Sequence, residues 1–130
     1  MPIRYAIDDA AGIVAVTAEG DVRQEEDLEC FGALVANPGY RPGMGLLLDY
    51  RNRVSVATTE QVKQFVEAAA RLREAFDGSR CAIVVSEDVA FGMARMYAAL
   101  AEDSFIPMNV FRDPDEAARW LASEPPDGNA

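Results

Sequence analysis

The sequence predicts an α/β domain on a mixed, mostly parallel sheet of about five strands with four helices, in the order β-β-α-β-α-β-α-β-α. Three observations carry this. Beyond residue 20, segments of helical periodicity alternate with β-branched and aliphatic runs. Two of those runs, Gly45-Leu46-Leu47-Leu48-Asp49-Tyr50 and Cys81-Ala82-Ile83-Val84-Val85, are apolar without alternation, as in parallel strands covered on both faces. The first two strand segments have only a short turn between them, so they form a hairpin that leaves one antiparallel strand at the edge.

Taken in order, Ile3, Tyr5 and Ile7 alternate along a first strand over residues 3–8, and Asp9-Ala10-Ala11-Gly12 turns the chain. Residues 13–19 are the β-branched second strand, ended by Gly20. Asp21, with Gln24 three residues on, is the expected cap of a helix from about Val22 to Ala36, whose apolar stripe is Leu28, Phe31, Leu34 and Val35. Glu25, Glu26, Asp27 and Glu29 lie early, where the helix dipole favours acids, and read as a solvated face. The third strand covers residues 45–50, and the polar stretch Arg51-Asn52-Arg53 follows it. Thr58 and Gln61 form a capping box for a second helix with the stripe Val62, Phe65, Val66, Ala69, Leu72 and Phe76, ended by Asp77-Gly78.

The fourth strand is residues 81–85, and Ser86-Glu87-Asp88 leads into a third helix ending near Ala101. Stepping ~100° per residue puts Val89, Met93, Met96, Tyr97 and Leu100 on its core face and Phe91 on the outer side with Arg95 and Glu102. Gly92 in the helix interior costs ~1 kcal/mol relative to alanine, which points to a neighbouring element passing close by. Residues 106–111 are the fifth strand. Asp113-Pro114-Asp115-Glu116 combines a cap, a proline at the first helical position and a glutamate three after the cap, opening a last helix that packs through Ala117, Trp120 and Leu121. Residues 1–122 read as one domain, and 123–130, with nothing to bury, as a flexible tail.

Bulk properties narrow the function. With 12 basic against 22 acidic residues the net charge is −10, a field that repels phosphate backbones and anionic membrane surfaces, so nucleic acid is not an expected partner. No window approaches the roughly 18 apolar residues of a membrane span, and no apolar leader follows Met1. The expectation is a cytoplasmic protein rather than an integral membrane one. Cys30 and Cys81 fall in apolar settings and are expected to be reduced core residues. Histidine is absent, which removes the commonest general base and the commonest metal ligand. No cofactor and no metal is expected.

The run Ala82-Ile83-Val84-Val85-Ser86-Glu87-Asp88-Val89-Ala90-Phe91-Gly92-Met93-Ala94-Arg95-Met96 resembles the third-helix region of SpoIIAA-like proteins. Residues 110–121 resemble that family's closing strand and helix, and Leu46-Leu47-Leu48-Asp49 its central strand. The resemblance implies the fold of the STAS and anti-sigma-factor-antagonist domains. The antagonists carry an Asp-Ser or Asp-Thr pair at the start of the second helix, where the hydroxyl is phosphorylated. Here that region reads Arg53-Val54-Ser55-Val56-Ala57-Thr58-Thr59-Glu60, with no aspartate directly ahead of a hydroxyl. Thr58 and Thr59 are the candidate phosphosites, and a helix cap is the plainer role for Thr58.

Ligands of such sheets bind beyond the strand carboxyl ends. The candidate ligand- or partner-binding residues are therefore Asp49, Tyr50, Arg51, Arg53, Ser86, Phe91, Arg95 and Arg112. The arginines could hold a small anion or an acidic segment, or pair with the abundant acids. Ser86 opens a helix after a strand, but it lacks the flanking glycines of a nucleophile elbow and has no histidine to activate it. The leading expectation is a non-catalytic regulatory or protein-interaction domain meeting a protein partner or, as a homodimer, a second copy. The alternative is a carrier or sensor of a small apolar or anionic ligand such as a lipid, held around Phe91, Met93, Met96 and Tyr97.

Overall fold

An antiparallel hairpin opens the chain in the computed structural model, which describes residues 2–54, 58–101 and 106–123. Strands β1 (Ile3–Asp8) and β2 (Ile13–Gly20) pair from Ile3 opposite Ala18 to Asp8 opposite Ile13. The chain continues as α1 (Gln24–Ala36), β3 (Gly45–Arg53), α2 (Thr59–Ala70), β4 (Cys81–Val84), α3 (Asp88–Ala101), β5 (Met108–Phe111) and α4 (Pro114–Ala122). The sheet order is β1-β2-β3-β4-β5, parallel from β2 onward. The edge-antiparallel mixed sheet expected from the sequence is the one observed.

Each crossover steps the sheet in the same direction, so three successive helices stack on one face. There Phe31 and Leu34 of α1, Phe65 of α2 and Ala94 of α3 meet Val14, Val16, Leu46, Leu48, Ile83 and Val85. Aromatic rings pack edge-on through this layer, Phe31 against Phe76 at 6.3 Å and Phe65 at 6.1 Å. Among the described helices only α4 covers the other face, where Ala117, Trp120 and Leu121 meet Leu47, Ala82 and Val84.

The caps follow local chemistry. Thr58 accepts from the Gln61 amide and Gln61 reaches back to the Thr58 N–H, the reciprocal box that the sequence predicts. Asp113 caps α4 with Pro114 behind it. Four expectations are corrected. Helix α1 begins two residues later than expected and is capped at Arg23, whose N–H donates to Glu26, so Asp21 is not the cap. Helix α2 stops at Ala70, and a series of turns carries Leu72 and Phe76 into the core before Gly78 at φ +81°. Strand β3 runs three residues further, to Arg53, pairing its polar end with β2. A Cβ on Gly92 would meet nothing within 4 Å among the described residues, so no described element passes close to it.

The polarity of α3 is the largest correction. Val89 is 66% exposed and Leu100 is 40% exposed, whereas Phe91 is half-buried against the main core. Met93, Met96 and Tyr97 pack inward as expected, but Val89 and Leu100 at the margins of that face are exposed, and Phe91 packs inward with its ring centroid 4.6 Å from the Arg112 guanidinium. Glu102 and the tail from residue 124 lie outside the described residues.

Candidate functional site

The strand carboxyl ends lie at a partly open cavity rather than at a flat surface. It has a volume of about 500 Å³ and lies under the N-terminal halves of α1 and α2 and alongside α3. Leu48, Tyr50 and Ile83 form its floor, and Phe65, Met93 and Tyr97 its walls. Parallel strands put every carboxyl end on one edge, and the first turns of the helices diverge there, which is why the space opens at this end.

A register shift places the key charge. Thr17 pairs with Asp49 and Glu19 with Asn52, so β3 carries one residue more than β2 over that interval. A bulge of this kind reverses the in–out alternation beyond it. Before it, Tyr50 faces the cavity layer while Asp49 and Arg51 share the opposite face. After it, Arg53 returns to the Tyr50 side, where its guanidinium lies 5.0 Å from the Tyr50 ring centroid.

There Arg53 meets Asp27 of α1. The pair is bidentate, 2.9 Å from Nη1 to Oδ1 and 2.8 Å from Nη2 to Oδ2, and Nη2 also donates to the Val22 carbonyl at 3.1 Å. Asp27 is only 5% exposed. Burial raises its pKa, and the Arg53 hydrogen bond and charge pull against that rise. Arg53 is held charged by the same contact. Placing Asp27 on a solvated face is therefore wrong. It lies four residues before Phe31 and seven before Leu34, on their buried stripe, and that spacing was the available signal.

The remaining predicted residues divide between two places. Asp49 and Arg51, two apart on one strand face, pair through Nε–Oδ1 and Nη2–Oδ2 contacts, both 2.8 Å, and Arg51 holds the Asp49 carboxyl below its usual pKa. Ser86 donates its hydroxyl to the Arg51 carbonyl at 3.0 Å, so it neither caps α3 nor stands free as a nucleophile. Arg112 donates to the Ser86 carbonyl at 3.2 Å and to Asp88 at 2.7 Å. These groups knit the ends of β3, β4 and β5 together outside the cavity. Arg95 is exposed on α3, Thr58 is engaged in its cap, and Thr59 is exposed at the first position of α2. Of the eight predicted binding residues, only Tyr50 and Arg53 line the cavity. Met93 and Tyr97 of the ligand-holding region do so as well, but Phe91 and Met96 do not.

Tyr97 differs from its neighbours. Its ring packs on Phe65 at 5.2 Å, and its hydroxyl has no hydrogen-bond partner among the described residues. No side-chain polar atom there is both fully enclosed and unpaired, so this hydroxyl keeps some exposure to solvent, and Tyr97 is one of the residues lining the cavity. Burial raises its pKa well above that of an ordinary phenol, as it does for Tyr50. The thiols are inert by the same cause: burial pushes Cys30 up to about 11 and Cys81 higher still. Both are free. Among the described residues no cluster of His, Cys, Asp or Glu could hold a metal, and no helix is long and apolar enough to cross a membrane.

A larger depression of about 710 Å³ runs along the β1 edge, but it is open to solvent. Its polar groups are already paired, Asn37 donating to the Tyr5 hydroxyl at 2.9 Å and Arg41 to Asp9.

No family model matches the sequence, and no curated protein matches it. Among solved structures, it is similar to a protein of the DUF3478 family from Shewanella loihica PV-4, whose description gives it a SpoIIAA-like fold. The TM-score is 0.63 over 92% of this chain and 91% of that one, at 16% sequence identity. The chain has the SpoIIAA-like fold.

Proposed function

We propose that this chain is a non-catalytic binding domain that carries or senses a small, mostly apolar molecule in the cavity at the strand carboxyl ends. The supporting observation is the cavity itself, within the ~300–1,000 Å³ range of small-molecule sites, with apolar side chains from the sheet and α3 on one side and charged and amide side chains from α1 and α2 on the other. The absence of histidine, the high-pKa thiols and the engaged Ser86 hydroxyl support a binding role over catalysis. The test is organic extraction of the purified protein with mass spectrometry of the extract, beside an Ala94→Trp variant whose indole fills the cavity. A compound present in the wild type and lost from a folded Ala94→Trp variant is expected. No extracted compound, together with no uptake of a neutral apolar dye, would overturn the reading.

One observation favours a protein partner in addition. Val54 and Val89 are 74% and 66% exposed, and each adjoins in sequence a cavity-lining residue, Arg53 or Ala90. A partner or second copy seated there would sense whether the cavity is filled. Phe91, expected on the outer side of α3, does not contribute to that surface, because its ring is packed inward. Val54→Ser with Val89→Ser is expected to abolish any association seen by sizing or pull-down. Association unchanged by both substitutions would remove this surface from consideration.

A further inference from the structure

We infer that the cavity selects an uncharged ring-sized molecule carrying one hydroxyl or carbonyl, with the Tyr97 hydroxyl as its hydrogen-bond partner. The inference rests on the ligand-binding reading above and adds the chemistry of the ligand's polar end.

Two features set that chemistry. The charge nearest the floor is spent: Arg53 gives both terminal nitrogens to Asp27 at 2.8 to 2.9 Å and one of them also to a carbonyl. To reach Arg53 an anionic head would have to displace a bidentate, mostly buried carboxylate, and the exposed charges it would pass are two acids, Asp21 and Glu25, against one cation, Arg23, which already lies 3.7 Å from Glu26. A cationic head would be brought against Arg53. An uncharged head meets neither cost. The second feature is the Tyr97 hydroxyl, which can both donate and accept, has no partner among the described residues and belongs to a residue lining the cavity. A hydroxyl with no protein partner bonds to water, so a ligand that replaces that water with its own hydrogen bond binds better than one that displaces it and leaves the hydroxyl bare. The walls beside it, Phe65, Tyr97 and Met93, favour flat ring systems through face and sulfur contacts.

Four fluorescent probes with one body isolate the head: pyrene, 1-pyrenemethanol, 1-pyrenecarboxylate and 1-pyrenemethylammonium, titrated into the full chain. Pyrenemethanol is expected to bind tightest. Tyr97→Phe, nearly the same shape, is expected to weaken pyrenemethanol about five- to tenfold while leaving pyrene within about twofold. The ranking in the wild type stands as a test even where the variant folds poorly. Tighter binding of either charged probe overturns the inference, as does a Tyr97→Phe effect equal for pyrene and pyrenemethanol. Both outcomes leave the cavity as a binding site. Failure of all four probes to bind overturns the binding reading as well.

Discussion

Two aspartates show how position alone decides a side chain's role. Asp49 lies on an exposed strand end, and its hydrogen bonds to Arg51 lower its pKa. Asp27 faces the interior, and burial raises its pKa in spite of Arg53. A carbon-detected titration is expected to place Asp49 below and Asp27 above the ordinary 3.8. The signs for stability are opposite. The stability that Asp49 contributes is present above pH 3.8 and is lost as pH falls through its lower folded pKa. Asp27 ionises later in the fold than in the unfolded chain, so its contribution declines as pH rises from 3.8 through its higher folded value. Removing only one side of the Asp27–Arg53 pair strands a buried charge. Asp27→Asn is expected to cost about 3 kcal/mol in urea denaturation, whereas Asp27→Leu with Arg53→Met together is expected to be nearly neutral. A small loss for Asp27→Asn alone would mean that water already satisfies Arg53.

At the scale of elements, the bulge in β3 sets which residues reach the cavity. Deleting Asn52 removes the bulge and restores the plain alternation, which leaves Arg53 opposite Gly20 and on the Tyr50 side, so the deletion is expected to keep the Asp27 pair and to destabilise less than Asp27→Asn. Helix termini and interiors offer finer tests. Thr58→Ala removes a reciprocal cap and is expected to cost about 1 kcal/mol. Gly92→Ala adds a methyl where nothing lies within 4 Å, and it is expected to raise stability by roughly 0.5–1 kcal/mol. A loss at Gly92 would show that the helix needs its glycine for movement or for contact with a partner. Element order and sheet class were legible because they depend on periodicity, which every residue of a segment reports. The inward packing of Phe91 and the exposure of Val89 were not, because both are apolar and their spacing on the helix does not tell them apart, while Arg112, which lies over Phe91, comes from a segment far along the chain. The bulge left no local mark either: Arg51-Asn52-Arg53 reads as loop until β2 is known to pair with it.

Across the whole molecule, the net charge of −10 is a uniform strain on the compact state. Screening it with about 0.5 M sodium chloride is expected to raise the melting temperature by a few degrees, since most ion pairs here are exposed and contribute little. A falling melting temperature would reveal a larger role for those pairs. The sheet order carries a consequence for synthesis. Every strand lies beside the one made just before it, and none is inserted between two earlier ones. A chain emerging from the ribosome can therefore add to its sheet one strand at a time on the β1–β2 hairpin, without reopening finished pairings. The last helix, α4, seals the second face only after β3, β4 and β5 are aligned beneath it. Assembly then ends as α4 closes over strands already in register.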